Sequence, residues 1–148
     1  MNLIISWPKI NLQCSVEPYI KNKQLYDWFI SGLPYNSIQG HAVVSGDLLY
    51  TKNIYVPQIL YNYDQLYNEL LTEAPVGRVF INVSRGNVGT IMIKYSEAIT
   101  EDMPYPVIGQ VIEKDLIAIK KVGNIVWDGH YNSKHYYLCD FKKESSYE

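Results

Sequence analysis

Lys94, Tyr95, Glu97, Glu101 and Asp102 fall close together at the end of residues 87–106, which read NVGTIMIKYSEAITEDMPYP. This concentration of ionisable side chains at the end of a short apolar strand marks the segment as the place to look for chemistry. A hairpin held by packing alone needs none of these at its mouth. Met103-Pro104-Tyr105-Pro106 follows, and prolines restrict the loop that carries Glu101 and Asp102. The plainer alternative is a solvated loop whose surface ion pairs add little to stability. Strand alternation divides the group. With residues 89–95 extended, Thr90, Met92 and Lys94 share one face while Ile91, Ile93 and Tyr95 share the other, so Lys94 and Tyr95 point opposite ways.

Other chemistries find less support. His41 lies between Gly40 and Ala42, with little bulk around it, and reads either as a buried hydrogen-bonded histidine or as a site histidine. His130 and His135 read as surface residues, and no histidine sits in a paired ligand motif, so no metal is expected. The run SRGNVG, residues 84–89, misses the dinucleotide fingerprint and precedes a strand where a helix is needed, so no nicotinamide or flavin cofactor is expected. No serine occupies a strand-to-helix elbow. Cys14 and Cys139 both fall in strands and read as reduced core thiols of a cytoplasmic protein.

Strands are expected near 3–6 and 10–16, then a helix from Pro18 with Leu25, Trp28 and Phe29 on its apolar face, stopped by Gly32 and Pro34. A strand over 37–45 turns at Gly46-Asp47 into another over 48–56, and Asp64 would cap a short helix over 64–72. Strands 77–83 and 89–95 are joined by Ser84-Arg85-Gly86-Asn87, and a strand over 107–113 leads into a helix over 114–128. That helix has Asp115 in its first turn and a face of Leu116, Ile119, Val122 and Val126; Gly129 ends it, and a strand over 136–141 closes the chain. Short links between many strands favour antiparallel pairing. The expected fold is mainly β, a closed barrel with two principal helices, forming a single domain over 1–148.

The 148 residues are 47% hydrophobic and 19% charged, a globular composition. A formal charge of −2, with Arg78 and Arg85 the only arginines and no basic stripe, argues against nucleic-acid and membrane partners. No apolar run approaches the roughly 20 residues of a spanning helix, and the N-terminus lacks the pattern of a signal peptide. The 14 tyrosines suit sheet packing, a binding cleft or a homo-oligomer interface, and the sequence does not separate these uses.

Two segments, SIQGHAVVSGDLLY and NVGTIMIKYSEAITEDMPYPVIGQV, together resemble the imidazole-opine synthases, the cucumopine and mikimopine synthases and their bacterial relatives. The similarity extends through IKKVGNIVWDGHY and spans residues 33–131. It implies a cyclophilin-like fold, a closed antiparallel barrel whose ends are covered by helices. It also implies a Pictet–Spengler-type condensation of L-histidine, or a related amine, with 2-oxoglutarate or a related keto acid, without a cofactor. Such a reaction needs an acid to dehydrate the carbinolamine and a base to remove the ring proton. Under this resemblance Glu97 or Glu101 is the base, Tyr95 or His41 the proton donor, and Lys94 or Arg85 the anchor for a substrate carboxylate. The alternative is a non-catalytic small-molecule-binding protein on the same barrel. Peptidyl-prolyl isomerisation is disfavoured, because the Phe-His-Arg-like strand motif is missing and fold alone carries no function.

Overall fold

The computed structural model describes residues 1–52, 54–61, 65–83 and 88–145. Its strands are β1 (Leu3–Trp7), β2 (Leu12–Pro18), β3 (Tyr35–His41), β4 (Gly46–Thr51), β5 (Asn68–Leu70), β6 (Arg78–Asn82), β7 (Thr90–Ile99), β8 (Pro104–Val111) and β9 (Tyr137–Lys143). The helices are α1 (Lys23–Ser31) and α2 (Leu116–Asp128). Strand order is β2-β1-β9-β3-β4-β7-β6-β8, and pairing of β2 with β8 closes an antiparallel barrel of eight strands. Strand β5 adds to the first residues of β8, on the edge that β2 takes further along.

Alternating side chains fill the lumen: Leu3, Ile5 and Trp7 of β1, Cys14 and Val16 of β2, Ile91, Ile93 and Tyr95 of β7, and their counterparts on the other strands. The helices plug opposite ends. Phe29 of α1 packs edge-on against Tyr35 at the start of β3, whereas Trp127 of α2 packs edge-on against His41 at its end. A second apolar cluster lies on the outer face, where Leu48, Phe80, Met92 and Val107 are covered by Leu71 and Ala74. Both cysteines are free and buried, as expected.

Several elements differ from the sequence-based expectation. Pro18 ends β2, opposite Gly109, and α1 begins only at Lys23 after a short 3-10 turn. The buried amide of Asn22 holds that turn by donating to the carbonyls of Tyr67 and Val107, both at 2.8 Å. The helix expected over 64–72 is replaced by β5, because residues 68–70 find an open edge on β8; Asp64 lies outside the described residues. Asp115 sits at the N-cap of α2, but its carboxylate accepts from the Ser15 backbone N–H at 2.8 Å and so pins the helix to β2. Gly129 continues into a single π turn over Gly129–Ser133. Strand β7 runs to Ile99 rather than stopping at Tyr95, with a register shift where Gly46 and Leu48 face Ile99 and Lys94. The chain can start β4 there because Gly46 has φ +93, and a Cβ at that position would stand 2.1 Å from the Ala98 carbonyl oxygen.

Candidate functional site

The register shift in β7 decides where its ionisable groups go. Lys94 points outward under the 71–74 turn and has no exposed surface. Its ammonium donates to the carbonyls of Ala74 at 2.6 Å and Leu71 at 2.9 Å, with Thr72 at 3.4 Å and the Glu97 carboxylate also 3.4 Å away. The Glu97 side chain is 76% exposed. Lys94 thus ties down the 71–74 turn, and its donors are committed to protein carbonyls rather than to a ligand. Arg85 lies outside the described residues.

Tyr95 points the other way, into the barrel end beneath α2. Its ring presses on the backbone of Gly123, where a Cβ would stand 2.4 Å from the ring. Its hydroxyl lies 2.6 Å from His41 Nε2 and 3.1 Å from Asp47 Oδ1, while the Ser96 hydroxyl donates to Asp47 Oδ2 at 2.6 Å. His41 Nδ1 is 2.8 Å from the Ala42 carbonyl, which can only accept, so Nδ1 carries a proton. The neutral ring then offers Nε2 as an acceptor. One phenolic proton therefore faces two acceptors, and the chain is one proton short of full satisfaction while His41 is neutral. Burial lowers the His41 pKa, opposed by the Ala42 carbonyl and Asp47 and assisted by His130. The Tyr95 phenol is held well above its ordinary range, first by burial and then by Asp47. His130 is half-buried rather than a surface residue, whereas His135 is exposed.

Glu101 belongs to a different place. On the outer face a cleft of about 530 Å³ is floored by Leu48 and Tyr50 of β4, Thr90 and Met92 of β7 and Asn82 of β6. One wall is the 42–45 loop after β3 and the other carries Glu101 and Tyr105, with Lys52 also lining the cleft. The Ser45 hydroxyl donates to Glu101 Oε2 at 2.7 Å. The Glu101 wall is tied to the 71–74 turn: the Leu71 N–H donates to the Met103 carbonyl at 3.0 Å, and Thr72 donates to Asp102 at 2.7 Å. The Tyr105 phenol has its pKa raised by burial and by the Glu101 charge, so it stays protonated through neutral pH. Exposed Val43 and Val44 add apolar surface at the mouth. A carboxylate, a neutral phenol and an ammonium around a floor part apolar and part polar can hold a carboxylate, seat a ring and move protons.

The two places are separated by the barrel wall. Of the residues singled out in the sequence, His41 and Tyr95 meet inside it, Glu101 stands alone in the cleft, and Glu97 and Lys94 pair with each other. Asp47, Lys52, Asn82, Thr90 and Tyr105 were not singled out. Asp47 reads in sequence as a turn residue and Tyr105 as a proline-flanked closure, and only the Tyr105 position, beside the carboxylates, gave a signal. A further recess of about 450 Å³ is lined by Trp28, Phe29, Tyr35, Ile54 and Tyr55 among others, with no carboxylate, imidazole or amine among the described residues of its lining. Among the described residues no group of three His, Cys, Asp or Glu could hold a metal ion, and no helix is long and apolar enough to cross a membrane.

No protein-family model and no curated protein sequence matches the chain. Among solved structures it is similar to McbB in complex with tryptophan, with a TM-score of 0.86 and 27% sequence identity, over 99% of this chain and 46% of that one. The chain therefore spans about half the length of the McbB chain it matches.

Proposed function

We propose that the outer-face cleft condenses an amino acid bearing an electron-rich ring with a keto acid, in a Pictet–Spengler-type reaction. The observation that carries this reading is the grouping of Glu101, Tyr105 and Lys52 around a floor that mixes apolar Leu48 and Met92 with polar Thr90 and Asn82. Two similarities support it: the sequence resemblance to imidazole-opine synthases, and the structural likeness to McbB, which was solved with an aromatic amino acid bound. L-Histidine or L-tryptophan supplies the amine and the ring; 2-oxoglutarate or a related keto acid supplies the carbonyl.

The amine adds to the carbonyl carbon to give a carbinolamine, and the Tyr105 phenol delivers the proton with which water leaves. The ring carbon then attacks the iminium carbon, forming the new bond; Glu101 takes the proton that the ring carbon loses, and a proton returned to the Tyr105 phenolate restores both groups for the next turnover. One water is released per product, and no electrons are exchanged. Lys52 pairs with a substrate carboxylate at the cleft edge. His41 and Tyr95 stand behind the wall, so this reading moves the proton donor to Tyr105 and the anchor to Lys52. Free amino acids as substrates and the two free cysteines are in keeping with a cytoplasmic reaction.

The decisive test incubates the protein with each amino acid and 2-oxoglutarate and follows products by mass spectrometry after borohydride. A cyclised product of the summed mass less one water, unreduced by borohydride, is expected. Absence of any such product across related amines and keto acids overturns the reading; saturable ligand binding without product would leave a binding protein in its place.

A further inference from the structure

The loop that carries Ser45 is joined at both shoulders by a single hydroxyl. His41 ends β3 immediately before the 42–45 loop and Asp47 is the second residue of β4 after it, and the Tyr95 oxygen touches the side chains of both, at 2.6 and 3.1 Å. We propose that Tyr95, acting through His41 and Asp47, is a positioning residue for Glu101: it clamps this loop so that the Ser45 hydroxyl stays on the carboxylate. The functional consequence rests on Glu101 being the working base of the cleft, but the geometry does not.

The clamp is anchored on several sides. His41 Nδ1–H donates to the Ala42 carbonyl at 2.8 Å, and the Ala42 N–H donates to the Leu48 carbonyl at 2.9 Å, closing the loop base. Thr100, next to Glu101, holds the loop from the far side through its N–H to the Ser45 carbonyl at 3.0 Å and its hydroxyl to the Val44 carbonyl. Val43 and Val44 between these ties are exposed and contribute little packing. Loop geometry is therefore set by hydrogen bonds, of which those at Asp47 are charge-assisted. Packing of the Tyr95 ring on Gly123 would be served equally by phenylalanine. The hydroxyl is the part that packing does not explain.

The test reads Glu101 directly in the full chain, by NMR titration of its side-chain carboxyl carbon, with Lys52 and Tyr105 as the ionisable groups that share the cleft. Ser45→Ala should move the Glu101 midpoint upward, because the ionised form loses a donor. Tyr95→Phe should raise it in the same direction although Tyr95 does not touch Glu101, and the double variant should add nothing further. Asp47→Asn provides a second route if Tyr95→Phe folds poorly, with the same expected direction. A Glu101 midpoint unmoved by Tyr95→Phe and Asp47→Asn, or strictly additive shifts, overturns the proposal. Once turnover is established, Tyr95→Phe should lower kcat with KM unchanged. Absence of turnover would count against the condensation reading while the titration still judges the clamp.

Discussion

The barrel end beneath α2 and the outer cleft sit on two sides of the same strands and differ in what their polar groups are free to do. Inside, buried His41 and Tyr95 and half-buried Asp47 hydrogen-bond to one another, so their chemistry is turned on the protein itself. Outside, Glu101 has a hydroxyl on one oxygen and opens onto space that a substrate can fill. Lys94 shows the same contrast within one segment. It is next in sequence to Tyr95, faces the opposite way, and spends its ammonium on backbone carbonyls. Shared residue types do not make shared sites; the face of the strand and the competing partners decide.

That contrast can be broken or sharpened by substitution. The largest effect should come from Glu101→Gln, which is expected to cost about 10²–10⁴ in condensation rate, the range for loss of a general base. Glu97→Gln should leave the rate unchanged, and equal losses in both variants would remove the distinction between cleft and exposed strand. Lys94→Met keeps the volume but orphans buried carbonyls, and should destabilise the fold by about 1–3 kcal/mol in urea unfolding. A folded Lys94→Met protein that binds substrate normally would confirm its structural role. Gly123→Ala pushes a methyl into the Tyr95 ring and should cost about 1–3 kcal/mol from overpacking. It perturbs the interior network first, so ligand binding in the cleft should survive in the folded fraction.

The smallest effects are in pH dependence. The raised Tyr105 pKa keeps the phenol protonated, so the alkaline limb of the rate should lie above the ordinary tyrosine value of 10.0, and Tyr105→Phe should remove that limb from the residual activity. For His41 the folded pKa is lowered from 6.5, so folding favours the neutral ring. The stability this contributes is present above 6.5 and is lost as pH falls through the lowered value. Urea midpoints measured from neutral into acid pH should therefore fall less steeply in His41→Gln than in the parent.

Much of the fold could be read from sequence because it rests on local signals. Alternation in TIMIKY gave β7 and correctly set Lys94 and Tyr95 on opposite faces, and the Ile119, Val122, Val126 stripe gave α2 its buried side. Pro18 and residues 64–72 misled, since a proline that could open a helix also ends a strand, and β5 forms only because β8 offers it an edge. His41 carried two open readings, and the structure shows a buried, hydrogen-bonded ring.

The sequence by itself determined the alternating faces, the closed antiparallel barrel with two helices, and the concentration of ionisable groups at the end of β7. Tertiary structure decided which of those groups share a space. Strand periodicity gives direction but not distance, and the five-residue step from Lys94 to Ile99 against two residues of β4 depends on the partner strand. That step sends Tyr95 to His41 and Asp47, leaves Glu97 on the surface, and delivers Glu101 to a cleft whose other members come from β4, β6 and β8. Pairing across such separations follows from which strands become neighbours and in what register, which no local pattern encodes.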